Sequence, residues 1–323
     1  MSPDDQPFVA VDRERWARLA AAGDGRAPGA VPPAGAAATE APADPASWAG
    51  DGEVDARERV EVLAPLAALA ARRREQDLDG RAGLGALDDA LVRGGASARG
   101  WVVAVAGGVA AGKSTVARAL VAELRARGIG PVEHVSTDGY LHSNAELERR
   151  GLTARKGFPE SYDVPALRAL LQAVRAGDGT LEVPVYSHRL QDREPEPRTI
   201  DRPAVLVLEG LRALAGPGPD GDPGVRDLVD LGVYVDATED AARAWYLDRF
   251  HAWRVAAADD PGALLHQIAD MPDADADALA LRVWAETNAP NVRDHVLPTR
   301  AHADVILEKD ADHRVARVLV RPV

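Results

Sequence analysis

A chain of 323 residues can bury one large α/β core with a small appendage, and a formal net charge of −13 excludes nucleic acid as the main partner, because a phosphate backbone needs a basic surface. Without cysteine, neither disulfides nor thiolate metal sites can form. The start, M-S-P-D-D-Q-P, lacks the basic and apolar regions of a signal peptide, and no apolar run approaches the ~20 residues needed to cross a bilayer, so a soluble cytoplasmic protein is expected.

In chain order, Asp12 to Ala22 has a weak helical pattern with Phe8 and Trp16 as its large anchors. From Gly23 to about Gly52 the composition turns to Ala, Pro and Gly, which have little to bury and predict a flexible linker. Residues 1–52 therefore read as an N-terminal segment, largely flexible, ahead of a single domain over 53–323. Removing residues 1–45 should leave the fold intact. Helical periodicity returns over Val54 to Arg74, with Val62, Leu63, Leu66 and Leu69 on one face and Arg72 to Arg74 on a solvated one. A second helix is predicted over Ala86 to Arg93, before the apolar run Trp101 to Ala106.

That run leads into Gly107 to Thr115, G-G-V-A-A-G-K-S-T, which opens a helical pattern from Ser114 to about Arg127. Strand, glycine-rich turn and helix satisfy G-x-x-x-x-G-K-[ST] from Gly107 through Ser114. Gly107 and Gly112 let the backbone turn tightly, so the N–H groups of Gly108, Val109, Ala110, Ala111 and Gly112 can converge on phosphate oxygens. The helix start adds its positive dipole end. Lys113 would reach the β- and γ-phosphates, and the Ser114 hydroxyl would hold Mg²⁺, so the loop predicts binding of a nucleoside triphosphate. The bland reading, a chance glycine turn before an ordinary helix, does not account for strand, spacing and helix agreeing.

Further strands are expected at Val132 to Thr137, Ala204 to Leu208, Leu231 to Val235 and Ala303 to Leu307, with an amphipathic helix over Val164 to Ala176. Strands alternating with helices behind a phosphate loop predict an α/β fold: a parallel sheet covered by helices on both faces, with ligands at the carboxyl ends of the strands. That points to Asp138, Glu209 and Asp236. Asp138 can accept the proton of an attacking hydroxyl, although Asp before Gly is often only a turn cap. Glu209 sits where an acidic residue orients Mg²⁺ or its waters. Arg249, on a later helix, could neutralise transition-state charge, though such an arginine is more often a surface ion pair. His188 taken alone reads as a structural histidine. Asp273, Asp275 and Asp277 begin a calcium-loop spacing, but Ala278 and Trp284 stand where glycine and a bidentate Glu are required, so an acid-rich helix start is expected instead.

The stretches V-S-T-D-G-Y-L-H (135–142), R-K-G-F-P-E-S-Y-D (155–163), P-V-Y-S-H (184–188), L-E-G-L (208–211) and L-P-T-R (297–300) make the chain resemble the bacterial type I pantothenate kinases. The resemblance runs from about Val54 to the C-terminus, and weakly through F-V-A-V-D-R-E-R-W (8–16). It implies ATP-dependent phosphorylation of pantothenate, the first step towards coenzyme A, by a dimeric cytoplasmic enzyme that coenzyme A inhibits. It assigns Asp138 as general base, Tyr186, His188, Tyr246 and Asn288 to pantothenate, and Arg249 to the transferred phosphate. Lys113 and Arg118 would also meet the phosphates of coenzyme A, and His313 would pack on adenine.

There are departures. Gly108 and Ala111 replace a Ser and a Val of the family's loop, and Arg212 follows L-E-G-L where the family has Asn. The family's adenine-packing Asn falls on Asp51. Past Phe250, a run of aromatics that roofs the substrate channel is replaced by Trp253, Ala258, Leu264, Leu265 and Ile268, which predicts weaker inhibition by coenzyme A unless Trp253 or Trp284 fills the gap. Two alternatives stay open: a phosphate-loop kinase for another small alcohol, and a non-catalytic nucleotide-binding regulator. A GTPase switch would need an N-K-x-D motif, which the chain lacks.

Overall fold

The structure, a computed structural model, describes residues 8–24, 54–85, 99–218, 221 and 223–322. Strand β1 (Val9–Val11) and helix α1 (Arg13–Asp24) come first. Next come a short turn α2 (Ala56–Glu58), capped by the Asp55 carboxylate accepting the Glu58 N–H at 2.7 Å, and a π-helical turn Arg59–Leu63. Helix α3 (Ala64–Gly85) completes this hairpin over the sheet. Strand β2 (Trp101–Gly107) is buried along its whole length, as a central parallel strand must be. The phosphate loop then feeds helix α4 (Lys113–Ala126) and strand β3 (Val132–Ser136).

Helix α5 (Asn144–Arg149) is short; helix α6 (Val164–Ala176) coincides with its predicted span. Asp163 caps α6 by accepting the Ala166 N–H at 3.0 Å, Pro165 sits in the first turn, and Gly177 ends the helix at φ 73°. Its Leu167, Leu170, Leu171 and Val174 face the sheet. Two small antiparallel pairs follow, β4 (Thr180–Val183) with β7 (Arg198–Asp201) and β5 (Tyr186–Ser187) with β6 (Asp192–Arg193). Strands β8 (Val205–Glu209) and β9 (Leu231–Asp236), helices α7 (Glu239–Ala257) and α8 (Asp273–Val283), and strands β10 (Val305–Lys309) and β11 (Val315–Val320) complete the described chain.

The main sheet has seven strands in the order β1-β11-β10-β9-β2-β8-β3. The five from β10 to β3 are parallel, and β11 and β1 extend them antiparallel. One apolar layer lies under α1, α3 and α4; the other lies under α6. A smaller cluster of Ala110, Trp245, Tyr246, Phe250, Ala276, Ala280 and Trp284 packs α7 and α8 against the phosphate loop. This satellite brings residues that are distant in sequence to one end of the sheet. The Asp-rich stretch is, as predicted, a helix start: Asp273 and Asp275 occupy the first turn of α8.

The N-terminal expectation needs correction. Residues 8–24 are docked, with β1 paired to β11 and Trp16 fully buried, its indole N–H donating to the Val62 carbonyl at 3.1 Å. Trp16, the three ladder residues of β1 and Arg13, which donates to Glu58 and Glu61, anchor a segment whose composition looks poor. Arg73 also departs from a solvated face, pairing with Asp304 at 3.3 Å. The predicted helix at Ala86 to Arg93 and most of the predicted linker lie outside the described residues.

Candidate active site

The phosphate loop turns directly off β2. Gly107 has φ 150°, and a Cβ there would meet the Val235 carbonyl at 2.3 Å; Gly112 has φ 88° and leads into α4. Ala110 also holds a positive φ of 61°, a conformation costing a non-glycine residue about 1–2 kcal/mol. Lys113 folds back to donate to the Gly108 carbonyl at 2.8 Å. Burial holds its ammonium below the ordinary lysine value, while Glu209 and Asp138 pull it up and Arg249 pushes it down. Glu209, Asp138 and Arg249 thus all act electrostatically on Lys113.

Beside the loop opens a cavity of about 500 Å³. Ala110, Gly112, Lys113, Ser114 and Thr115 form its floor, and Trp245, Arg249, Lys309 and His313 are among its walls. His313 stacks on Trp245 with centroids 3.8 Å apart and rings 22° from parallel. The lining carries the cations Lys113, Arg249, Lys309 and Arg314 together with the acids Asp55, Glu58, Asp248 and Asp312. Gly108, Val109 and Ala111 face a separate, more apolar pocket behind the loop, and Arg118 lies on α4 outside the lining. Asp51 is outside the described residues.

Asp138 sits one residue past the start of a 3₁₀ turn that follows β3. The Tyr162 hydroxyl donates to its Oδ1 at 3.3 Å. On the far side is Tyr186, buried, with its phenol pushed well above the ordinary value by burial and by Asp138 and Asp192. His188 lies edge-on to Tyr186 at 5.4 Å and stacks on Trp253 at 4.9 Å. The Arg249 guanidinium lies 4.8 Å from the centroid of Trp253. Tyr246 is hydrogen-bonded to Asn288 and packs against Trp284 at 5.4 Å. Glu209 is 6% exposed; burial raises its pKa against the pull of His134 and Lys113 and a hydrogen bond from Ser136.

The structure gives a context to further positions that the sequence singles out. Asp236, at the end of β9, is ion-paired to Arg300 of L-P-T-R at 2.7 Å and lines the apolar pocket that Gly108, Val109 and Ala111 also face. Ala258 stands exposed just past α7, and Leu264 is 46% exposed, so neither roofs the site; Trp253 and Trp284 occupy that side. Arg212 is half-buried beside Tyr162 and Glu160, its Nε buried without a hydrogen bond, and burial lowers its pKa. Sequence reasoning gave no role to Tyr162, Glu58, Trp245 or Lys309. Tyr162 lay inside a quoted motif, whereas Lys309 ends an ordinary-looking strand.

A strand–loop–helix phosphate site at the carboxyl edge of a parallel sheet, with a carboxylate beside its lysine, defines a phosphate-loop kinase. The family model described as the phosphoribulokinase/uridine kinase family matches residues 102–276. Pantothenate kinase of Rhodopseudomonas palustris (strain BisA53) is 46% identical over 227 residues, 68% of this chain and 71% of that one. Pantothenate kinase of Bradyrhizobium sp. (strain BTAi1) is 45% identical with the same coverages. Among solved structures, phosphoribulokinase from Rhodobacter spheroides matches with a TM-score of 0.44 at 17% identity, covering 66% of this chain and 73% of that one. The chain belongs to the phosphoribulokinase/uridine kinase family and, within it, to the pantothenate kinases.

Proposed function

We propose that the chain transfers the γ-phosphoryl group of ATP to the hydroxyl of pantothenate, giving 4′-phosphopantothenate, the first step of coenzyme A biosynthesis. The observation that carries this reading is Asp138, which follows β3 at the carboxyl edge of the sheet and accepts a hydrogen bond from the Tyr162 hydroxyl at 3.3 Å, its charge acting on Lys113 of the phosphate loop and on Tyr186. ATP occupies the 500 Å³ cavity, its phosphates on the loop N–H groups and Lys113, its adenine against the free face of the His313–Trp245 stack. Tyr186, His188, Tyr246 and Asn288 hold pantothenate. Asp138, oriented by Tyr162, takes the proton from the attacking hydroxyl, and Arg249 with Lys113 offsets the charge developing on the transferred phosphoryl oxygens.

Mg²⁺ fits this donor set. Ser114 and Glu209 offer hard oxygens beside Lys113, and Glu209 is a buried carboxylate whose anion is favoured by a nearby cation. The metal would supply charge neutralisation to the phosphates, and Ser114 and Glu209 would hold it. Among the described residues no helix is long and apolar enough to cross a membrane. A cytoplasmic homodimer inhibited by coenzyme A through Lys113 and Arg118 completes the reading. Turnover of ATP with pantothenate, against a panel of other small alcohols, tests it. Pantothenate should be preferred at least tenfold in kcat/KM, about 1.4 kcal/mol of transition-state binding; equal or better turnover of another alcohol overturns the assignment.

A further inference from the structure

Four acidic residues, Asp55, Glu58, Asp248 and Asp312, line the nucleotide cavity, and of these only Glu58 is buried. Glu58, at the end of α2, lines the cavity and is 9% exposed. Its Oε1 accepts the Val315 N–H at 2.9 Å. Its Oε2 accepts from Arg13 Nη2 at 2.9 Å. Arg13 opens α1, lies outside the cavity lining, and also donates to the Val315 carbonyl at 2.8 Å and to Glu61. Lys309 lies on the cavity side: its Nζ is 2.6 Å from where a Cβ on Gly112 would stand, hard against the phosphate loop. Glu58 and Asp310 are the anions that act on this lysine.

A buried carboxylate in the wall of a site for a polyanion is unfavourable unless something outside the site neutralises it. Arg13 does so from the N-terminal helix. With Arg13 in place, Glu58 fixes the Val315 backbone, and Lys309 keeps its charge for the loop. Without Arg13, Glu58 would face the triphosphate uncompensated and compete for Lys309. We propose that Arg13 is a positioning residue for the nucleotide, acting through Glu58, so that the docked N-terminal segment is part of the ATP site. The inference rests on the cavity being the ATP site. A uniformly loosened fold would weaken every ligand alike, whereas an uncompensated charge weakens each in proportion to its phosphates.

The test is equilibrium binding of ATP, ADP and adenosine to the full chain by calorimetry. Arg13→Gln should raise the Kd for ATP about tenfold, as expected of a unit charge within ~10 Å of a triphosphate in a partly desolvated cavity, raise it less for ADP, and leave adenosine within about twofold. Adding Glu58→Gln, whose amide oxygen still accepts the Val315 N–H, should bring ATP back to within about threefold of wild type. An unchanged Kd for ATP, an equal rise for adenosine, or no recovery in the double variant overturns the proposal. If Arg13→Gln fails to fold by circular dichroism, Glu58→Gln alone decides: ATP binding should tighten more than adenosine binding, and unchanged ATP binding overturns the idea. Lys113→Ala keeps the underlying reading separate. If ATP binding survives that change intact, the cavity is not the ATP site, whatever Arg13 does.

Discussion

Replacing Trp16 by alanine asks whether the N-terminal segment belongs to the folded unit. The side chain is fully buried in the layer of Val62, Leu63, Leu66 and Ala67, and its indole N–H donates to the Val62 carbonyl at 3.1 Å. Truncating a buried tryptophan costs about 3–5 kcal/mol, of which the hydrogen bond is about 1. Against a total stability of about 5–15 kcal/mol that is a large fraction. The loss is capped at the energy that docks residues 8–24, because a segment that peels away relieves its own cavity. Trp16→Phe keeps most of the apolar volume and loses the hydrogen bond, so about 1–2 kcal/mol is expected. Urea unfolding followed by circular dichroism gives both the midpoint and the slope. The order should be wild type, then Phe, then Ala, with a lower slope for Ala if the segment detaches, since less surface is then exposed on unfolding. An alanine variant within about 0.5 kcal/mol of wild type would show that α1 contributes nothing to the core.

The remaining predictions concern chemistry. Asp138→Asn keeps the size of the side chain and an oxygen for Tyr162 to donate to, yet removes the proton acceptor; kcat should fall about 10²–10⁴-fold with ATP binding near wild type in calorimetry, and full turnover would return Asp138 to a turn residue. Gly139→Ala places a Cβ 2.2 Å from the Pro184 carbonyl, a backbone atom that cannot swing aside, so the base must shift from Tyr186; pantothenate turnover should drop at least tenfold while the Kd for ATP holds, and an unaffected kcat/KM would refute the coupling.

The parallel core was legible because its strands are buried on both faces and therefore continuous in apolar residues: Trp101 to Ala106, Ala204 to Leu208 and Leu231 to Val235 each lie within a residue or two of the observed strand. The loop and α4 were legible because glycine, lysine and helix start at fixed spacing leave few other structures. Strands β4 to β7 were not, being short, half-polar pairs whose register is set by contacts far along the chain. Strand β1 was missed because three residues carry no periodicity, and its partner β11 is over 300 residues away. At the site, Asp138 and Glu209 followed from strand ends alone, but the same rule also selected Asp236, which the structure commits to Arg300. Only the fold tells which strand-end carboxylate is held by a structural arginine. Glu58 and Lys309 have no sequence signal of their own, since each gains its meaning from the cavity.

Around Trp253 the structure fills space that reading positions one by one left open, while Leu265 and Ile268 pack on the cluster of Tyr246, Phe250 and Trp284. With Ala258, Leu264, Leu265 and Ile268 in place of aromatics, the expectation is a channel that stays dry but loses rigid stacking walls, and weaker inhibition by coenzyme A. Yet Ala258 is exposed beyond α7, while Trp253 stacks on His188 at 4.9 Å and lies under the Arg249 guanidinium at 4.8 Å. One indole thus braces His188 and Arg249 together. The stack contributes about 0.5–1.5 kcal/mol and the cation–π contact about 0.5–2, so losing both should remove about 1–3 kcal/mol. Trp253→Ala should lower kcat/KM for pantothenate about 10–100-fold, whereas Trp253→Phe, which preserves a ring, should stay within about fivefold. The same argument fixes inhibition. Ala258→Phe adds a ring in solvent and should leave the inhibition constant for coenzyme A against ATP unchanged, while Trp253→Ala should raise it. Tighter inhibition in Ala258→Phe, or none of these effects in Trp253→Ala, would mean that the channel wall lies along the chain past α7 and not on Trp253.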